Sequence, residues 1–321
     1  MVVFRWFLFY RIGIIWVDLF KGLTMKKTIR FIYNLIPLKK YIFLFFRSFC
    51  IFKQNLYQHL TFKGFFRVAL DNSDFKIYNT GTLIENQLFW RGIDGFEPNS
   101  LKIWIKLCRI SDVIFDIGAN TGVYSLIAKS ENPTSTVYAF EPVERVFTIL
   151  SKNFSINRFD VKYYMKAVSD KDGVGMFYDN DKEHTLSVVL NLDRSDEQGL
   201  HKVHIETIKL DSFIEHHNIQ NIDLLKIDVE THEPEVFNGF KKHLKIYKPT
   251  MIIEIIRDYV ASSLSEQLSG LGYNYFYINE PFGGADILVD GDSYQKVDSL
   301  VNCRHGNYLI CSDRIRIALD L

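Results

Sequence analysis

A short apolar run, Val113-Ile114-Phe115, leads into Asp116-Ile117-Gly118-Ala119-Asn120-Thr121-Gly122, and few folds accept that order. The run has the character of a strand buried on both faces, and Asp116 falls where such a strand ends. Gly118 and Gly122 bracket a tight turn. Lacking a Cβ, they let the backbone approach a ligand closely, while the free donors of the following helix N-terminus point the same way. Val123 to Lys129 reads as that helix, ended by Pro133, and Thr136 to Phe140 reads as a second strand that delivers Glu141 and Pro142. Glu141 lies 23 positions after Gly118. That is close to the spacing of roughly 20 at which a strand-end carboxylate accepts hydrogen bonds from a ribose.

A two-glycine turn followed by an acidic strand end suits two kinds of nucleoside cofactor. Nicotinamide and flavin dehydrogenases usually show Gly-x-Gly-x-x-Gly, because a pyrophosphate lies against the second glycine. Here that position is Asn120. The side chain favours a cofactor without a pyrophosphate, for which S-adenosylmethionine (SAM) is the candidate. A parallel-sheet turn that binds nothing is the plain structural alternative.

The chain has 321 residues and no net charge, with 38 Lys and Arg balanced by 38 Asp and Glu. The balance is not local. Residues 1–66 hold eleven Lys and Arg against the single acid Asp18, so residues 67–321 carry an excess of ten negative charges. In the first segment Phe4, Trp6, Phe7, Trp16, Phe43, Phe45 and Phe46 interleave with Arg5, Arg11, Lys26, Lys27, Lys39, Lys40 and Arg47. Mixed basic and aromatic residues suit a headgroup interface. Arg11, Asp18 and Arg47 interrupt every apolar run before it reaches the ~18–20 residues of a spanning helix. The expectation is a helical segment peripheral on an anionic membrane, at its cytoplasmic inner face. Helices packed on the catalytic domain are the competing reading. A cleaved secretory signal is disfavoured by the absence of a small-residue cleavage site. Nucleic-acid binding is disfavoured by the acidic remainder. Cys50, Cys108, Cys303 and Cys311 show no Cys-x-x-Cys spacing, so neither a zinc site nor a disulfide framework is expected.

These shifts divide the chain into 1–66, a lead-in over 67–110 and a catalytic domain over 111–321. Beyond Glu141, Val146 to Asn153 has helical spacing, and Val161 to Tyr164 resumes a strand leading to Ala167-Val168-Ser169. Gly175 to Tyr178 and Val203 to Glu206 read as strands joined by a long polar loop. Its His184-Thr185-Leu186-Ser187 is a substrate-contact candidate, with an idle surface loop as the alternative.

Leu224 to Ile227 reads as a strand that ends in Asp228-Val229-Glu230-Thr231-His232-Glu233-Pro234. Carboxyl ends of parallel strands are where open sheets bind ligands, so Asp228, Glu230 and His232 are the catalytic candidates. His232 is the expected general base, its ordinary pKa of about 6.5 lying near working pH; an early helix residue facing solvent is the alternative. Thr231 is placed to cap a helix whose apolar face is Val236, Phe237, Phe240 and Leu244. A strand over Thr250 to Ile253 brings Glu254 beside Asp228, a pair that Mg²⁺ would also suit, though no metal is favoured. A helix over about Ser262 to Gly270 and two late strands, Tyr273 to Ile278 and Tyr308 to Cys311, complete the pattern as a closing hairpin.

Taken in order, Phe115 to Gly122, Ala139 to Pro142, Asn153 with Asn157, Ala167 to Ser169, Thr207 to Ile214 and Leu225 to Glu230 resemble the FkbM-type SAM-dependent methyltransferases over about residues 90–312. One departure is Thr231, where that family commonly has Gly, and it bears on the substrate more than on the cofactor. The resemblance implies an α/β fold: a Rossmann-like, seven-stranded class I methyltransferase sheet with helices on both faces, here preceded by the aromatic-basic helical segment. It implies that Gly118, Ala119, Asn120 and Gly122 border the methionine part of SAM and that Asp116 holds its ammonium. It further implies that Glu141 binds the ribose and that residues near Ala167 flank adenine. The implied reaction is O-methylation of a sugar, glycan, lipid-linked or secondary-metabolite acceptor. A nicotinamide-dependent oxidoreductase and a non-catalytic SAM- or glycan-binding protein are the alternatives.

Overall fold

The computed structural model describes residues 38–48, 57–180, 200–281, 293–302 and 304–319. The chain forms two compact units, Met1–Ile51 and Phe52–Leu321. In the smaller unit the described part is the helix Lys39–Arg47, which buries Phe43 and exposes Leu38, Tyr41, Ile42 and Phe45. The rest of the basic-aromatic segment to residue 37 and over 49–56 lies outside the described residues, as does the 184–187 loop candidate. No helix among the described residues is long and apolar enough to cross a membrane.

The larger unit opens with a hairpin, β1 (Gly64–Ala69) and β2 (Asp74–Asn79), followed by helices Leu83–Arg91 and Pro98–Cys108. Its main sheet takes β3 (Val113–Ile117), β4 (Thr136–Phe140) and β5 (Val161–Tyr164) from the first half. A small second sheet follows, of β6 (Ala167–Val168), β7 (Gly173–Asn180) and β8 (Leu200–Ile208), in the order β6-β8-β7. The main sheet then gains β9 (Leu224–Ile227), β10 (Thr250–Ile255), β11 (Asn274–Ile278), β12 (Tyr294–Val297) and β13 (Gly306–Cys311), in the order β12-β11-β13-β10-β9-β3-β4-β5. From β10 to β5 the strands are parallel. β13 inserts antiparallel between β10 and β11. That is the Rossmann-like methyltransferase sheet with its late antiparallel strand, as expected from the sequence. It carries an eighth strand, β12, at the edge. Tyr-Gln-Lys-Val has no fully buried position, so no apolar run announces it.

The alternation of strand side chains supplies both layers. Phe115, Ile117, Phe140, Leu225, Ile227, Met251 and Ile253 pack with Phe213, Val236, Phe237, Val260 and Leu264 from helices Leu210–His216, Glu233–Asn238 and Asp258–Leu268. The intervening Ile114, Val137, Ala139, Leu224 and Ile252 are also fully buried, on the face carrying helix Val123–Glu131. The helix expected from Val236 to Leu244 is in fact two, Glu233–Asn238 and Lys241–Tyr247. Gly239 stands between them, its backbone so close to Ser169, just past β6, that an added Cβ would lie 2.0 Å from the Ser169 carbonyl. Asp211 then caps the second piece, accepting from the Lys242 and His243 amides at 2.9 and 3.0 Å.

Asn153 and Asn157, on helix Glu144–Asn157, are fasteners. Asn153 accepts from the Tyr78 amide at 2.8 Å and donates to the Thr121 carbonyl at 2.8 Å. Asn157 holds both backbone groups of Lys76, at 2.7 and 2.6 Å. One helix thereby ties the upstream hairpin to the glycine turn.

Candidate active site

At the carboxyl ends of β3, β4, β9 and β10 the larger unit encloses a cavity of about 360 Å³. Seven of the eight expected cofactor residues line it: Asp116, Gly118, Ala119, Asn120, Glu141, Pro142 and Ala167. Gly122, the eighth, does not. It sits at φ 91° where an added Cβ would meet the Phe154 ring at 2.9 Å, so its smallness serves packing. Gly118 is under a tighter constraint, for at φ 79° an added Cβ would lie 1.9 Å from the Asp228 carbonyl. The turns after β3 and β9 touch there, and only glycine fits between them.

Backbone donors shape this end. Glu141 accepts from the Asn120 amide at 3.0 Å with one oxygen and from the Val143 amide at 2.9 Å with the other. Each oxygen keeps a lone pair for a ribose hydroxyl. Asn120 stands in the left-handed region at φ 50°, where its side chain accepts from the Thr121 amide at 2.8 Å. Asp116 accepts from the Ser125 amide and hydroxyl, at 3.0 and 2.6 Å, with the same oxygen. The other takes no such bond. Burial pushes Asp116 up to about 6 and Glu141 up to about 7. Free lone pairs on Glu141, an open oxygen on Asp116 and a tight glycine turn fit an adenosyl amino acid.

The opposite end is made of side chains. Lys226 is 1 % exposed inside the otherwise apolar β9. Its ammonium lies 3.3 Å from Asp228 Oδ2 and 3.4 Å from Asn307 Oδ1, and 5.0 Å from the centre of the Tyr124 ring. Burial alone would lower the Lys226 pKa; Asp228, Glu97 and Glu254 together outweigh it and hold it raised. Asp228 and burial push Glu254 up to about 9, while burial and Asp228 push Glu230 to about 7. Glu97, raised by burial, accepts from the Tyr124 hydroxyl at 2.6 Å. Glu97, Tyr124, Lys226, Asp228, Glu230 and Glu254 all line the cavity.

Of the three catalytic candidates, Asp228 and Glu230 line the cavity and His232 does not. The His232 ring is engaged elsewhere: Nε2 lies 2.9 Å from Ser169 Oγ and Nδ1 lies 3.4 Å from Glu235 Oε2. Burial lowers its pKa against the pull of Glu235. Thr231 makes no side-chain cap; His232 is the N-cap residue, and Glu233 reaches back to the Val229 and Thr231 amides at 3.3 Å each. Glu230 and Thr231 stand at φ 53° and 80°. The second is a costly position for a β-branched residue and marks a strained turn. No group of three or more His, Cys, Asp or Glu among the described residues could hold a metal, and the cation that Asp228 and Glu254 share is Lys226.

Sequence reasoning passed over Glu97, Tyr124 and Lys226. A lysine in a run of Leu and Ile was a readable signal, since a buried charge needs partners. Glu97 had none, because Tyr124 lies 27 positions downstream.

A methyltransferase FkbM domain model matches residues 116–275. The chain is similar to 31-O-demethyl-FK506 methyltransferase FkbM of Streptomyces tacrolimicus, 32% identical over 157 residues that cover 41% of this chain and 60% of that protein. It is also similar to hexuronic acid methyltransferase AglP of Haloferax volcanii, 26% identical over 155 residues covering 46% and 58%. It thus spans about three fifths of the length of these two curated relatives. Among solved structures, an O-methyltransferase from Bacillus cereus in complex with SAH aligns at a TM-score of 0.40 and 13% identity, covering 66% of this chain and 80% of that one.

Proposed function

We propose that this chain, which belongs to the FkbM methyltransferase family, transfers a methyl group from SAM to a hydroxyl of a sugar, glycan or related small-molecule acceptor. The observation that carries this reading is the single cavity joining the Gly118–Glu141 cradle to the carboxylates around Lys226. The acceptors named for the two relatives, 31-O-demethyl-FK506 and a hexuronic acid, support a hydroxyl-bearing substrate.

Glu141 would hold the ribose, Asp116 the ammonium, the 118–120 turn the methionine chain, and Ala167 and Val168 the adenine. The cofactor supplies an electrophilic methyl. The chain's own task is to hold the acceptor oxygen in line at ~3–3.5 Å and to take up its proton. Asp228 and Glu230, on the turn after β9, are placed to hold the acceptor. His232, bonded to Ser169, steadies that turn from outside the cavity.

Titration calorimetry with S-adenosylhomocysteine (SAH) and with NAD tests the cofactor. SAH should bind and NAD should not, and the reverse would sink the reading in favour of an oxidoreductase. Labelled methyl groups from SAM should then enter a sugar-containing fraction of cells carrying the gene. The exposed apolar side chains of helix Lys39–Arg47, beside its basic residues, support a peripheral place on an anionic membrane. Retention on anionic lipid vesicles at low salt and release at high salt is the expected result.

A further inference from the structure

Five residues of the cavity wall come from upstream of the matched domain: Thr82, Leu83, Ile84, Phe96 and Glu97. Glu97 is the charged one. Its backbone is held at φ 40°, in the left-handed region, at the start of helix Pro98–Cys108. A non-glycine residue kept there is held by its surroundings, and such residues cluster at functional sites. One carboxylate oxygen, Oε2, is fixed by the Tyr124 hydroxyl at 2.6 Å. Oε1 has no hydrogen-bond partner among the described residues, although it belongs to a cavity-lining side chain.

The neighbouring acids are held differently: among the described residues Glu230 and Glu254 have no hydrogen bond to fix them. Asp228 is engaged by the Lys226 ammonium at 3.3 Å. Glu254 is shaped by Asp228 and Lys226 together. Glu97 combines a fixed orientation with an open oxygen. Burial also raises the Glu97 carboxyl above its ordinary value, against the pull of Lys226.

Building on the methyltransferase reading, we propose that Glu97 is a further catalytic carboxylate that receives the acceptor hydroxyl at the reacting end of the cavity. Its Oε1 accepts the hydroxyl's hydrogen bond. As the acceptor oxygen bonds to the methyl carbon, the proton passes to Glu97 and the electron pair of the breaking C–S bond returns to sulfur, leaving neutral SAH. The wall over 82–97, rather than the matched domain alone, then helps to decide which acceptor is admitted.

Sinefungin, which carries a protonated amine where SAM carries its methyl, is a probe that needs no knowledge of the acceptor. A carboxylate at the reacting end should favour it over neutral SAH. Calorimetric affinities for both ligands should show Glu97→Gln weakening sinefungin about tenfold while leaving SAH unchanged. Glu97→Asp keeps the charge and should keep most of the preference. A sinefungin-to-SAH ratio that does not move in Glu97→Gln overturns the proposal, as does an SAH affinity that falls in step with it. Equal losses in the Asp and Gln variants overturn it too. Failure of the unmodified protein to bind SAH is a different result and sinks the cofactor reading itself.

Discussion

The two ends of the cavity are built from different materials. At the cradle, ligand-facing geometry comes from the backbone: Glu141 is aimed by two amides, and Gly118 fits where no side chain would. At the acidic end it comes from side chains that share one buried ammonium. Backbone geometry is rigid and indifferent to charge. A cluster held by a shared cation is tuned by every member, which leaves it free to vary with the substrate.

Replacing the cation should separate the two ends most sharply. Lys226→Met leaves Asp228, Glu97 and Glu254 without their common partner, and loss of one member of a buried ionic group costs about 3–5 kcal/mol. The expected result is a large fall in melting temperature; an unchanged melting point would show that the acids do not depend on it. Gly118→Ala strikes the cradle instead, forcing a methyl toward the Asp228 carbonyl. A cost of about 2–3 kcal/mol is expected from overpacking, together with loss of SAH binding in the calorimeter. If Gly118→Ala bound SAH normally, the cradle would be more plastic than the turn contact allows.

The smallest effect is that of pH, and both ends contribute. Asp116 at about 6 and Glu141 and Glu230 at about 7 stand above their ordinary values of 3.8 and 4.5. The folded protein therefore keeps protons that the unfolded chain has released. The stability these groups give is whole below their ordinary values and is lost as the pH climbs through 6 to 7. The melting temperature of the ligand-free protein should fall across that window, less steeply in Glu141→Gln and Glu230→Gln. A slope of the same size in both variants would place its origin elsewhere.

The contrast between the ends also explains what could be read from the chain. From Val113 to Glu141 the order along the sequence is the order in space, so strand, glycine turn, helix and acid could be placed by eye. Parallel pairing of β9 and β10 followed from the same alternation, and it brought Asp228 beside Glu254. The hairpin over 64–79 was missed although Phe66, Val68, Phe75 and Ile77 alternate correctly, because the basic-aromatic character of the preceding residues drew the boundary through it. His232 was expected in the cavity because three polar residues follow one strand. The turn's left-handed residues at Glu230 and Thr231, which sequence does not announce, carry the imidazole out toward Ser169.

Asn153 meets the hairpin through Tyr78 and the glycine turn through Thr121, although these lie 75 and 32 positions away. In hereditary terms, the three segments form one linkage group. A natural or laboratory crossover between two relatives that falls from residue 80 to residue 152 hands the asparagine to partners it did not evolve with. Exchanges that begin upstream of the hairpin carry all three together. On the proposal that Glu97 receives the acceptor, the acceptor range of such chimaeras travels with the cavity wall over 82–97.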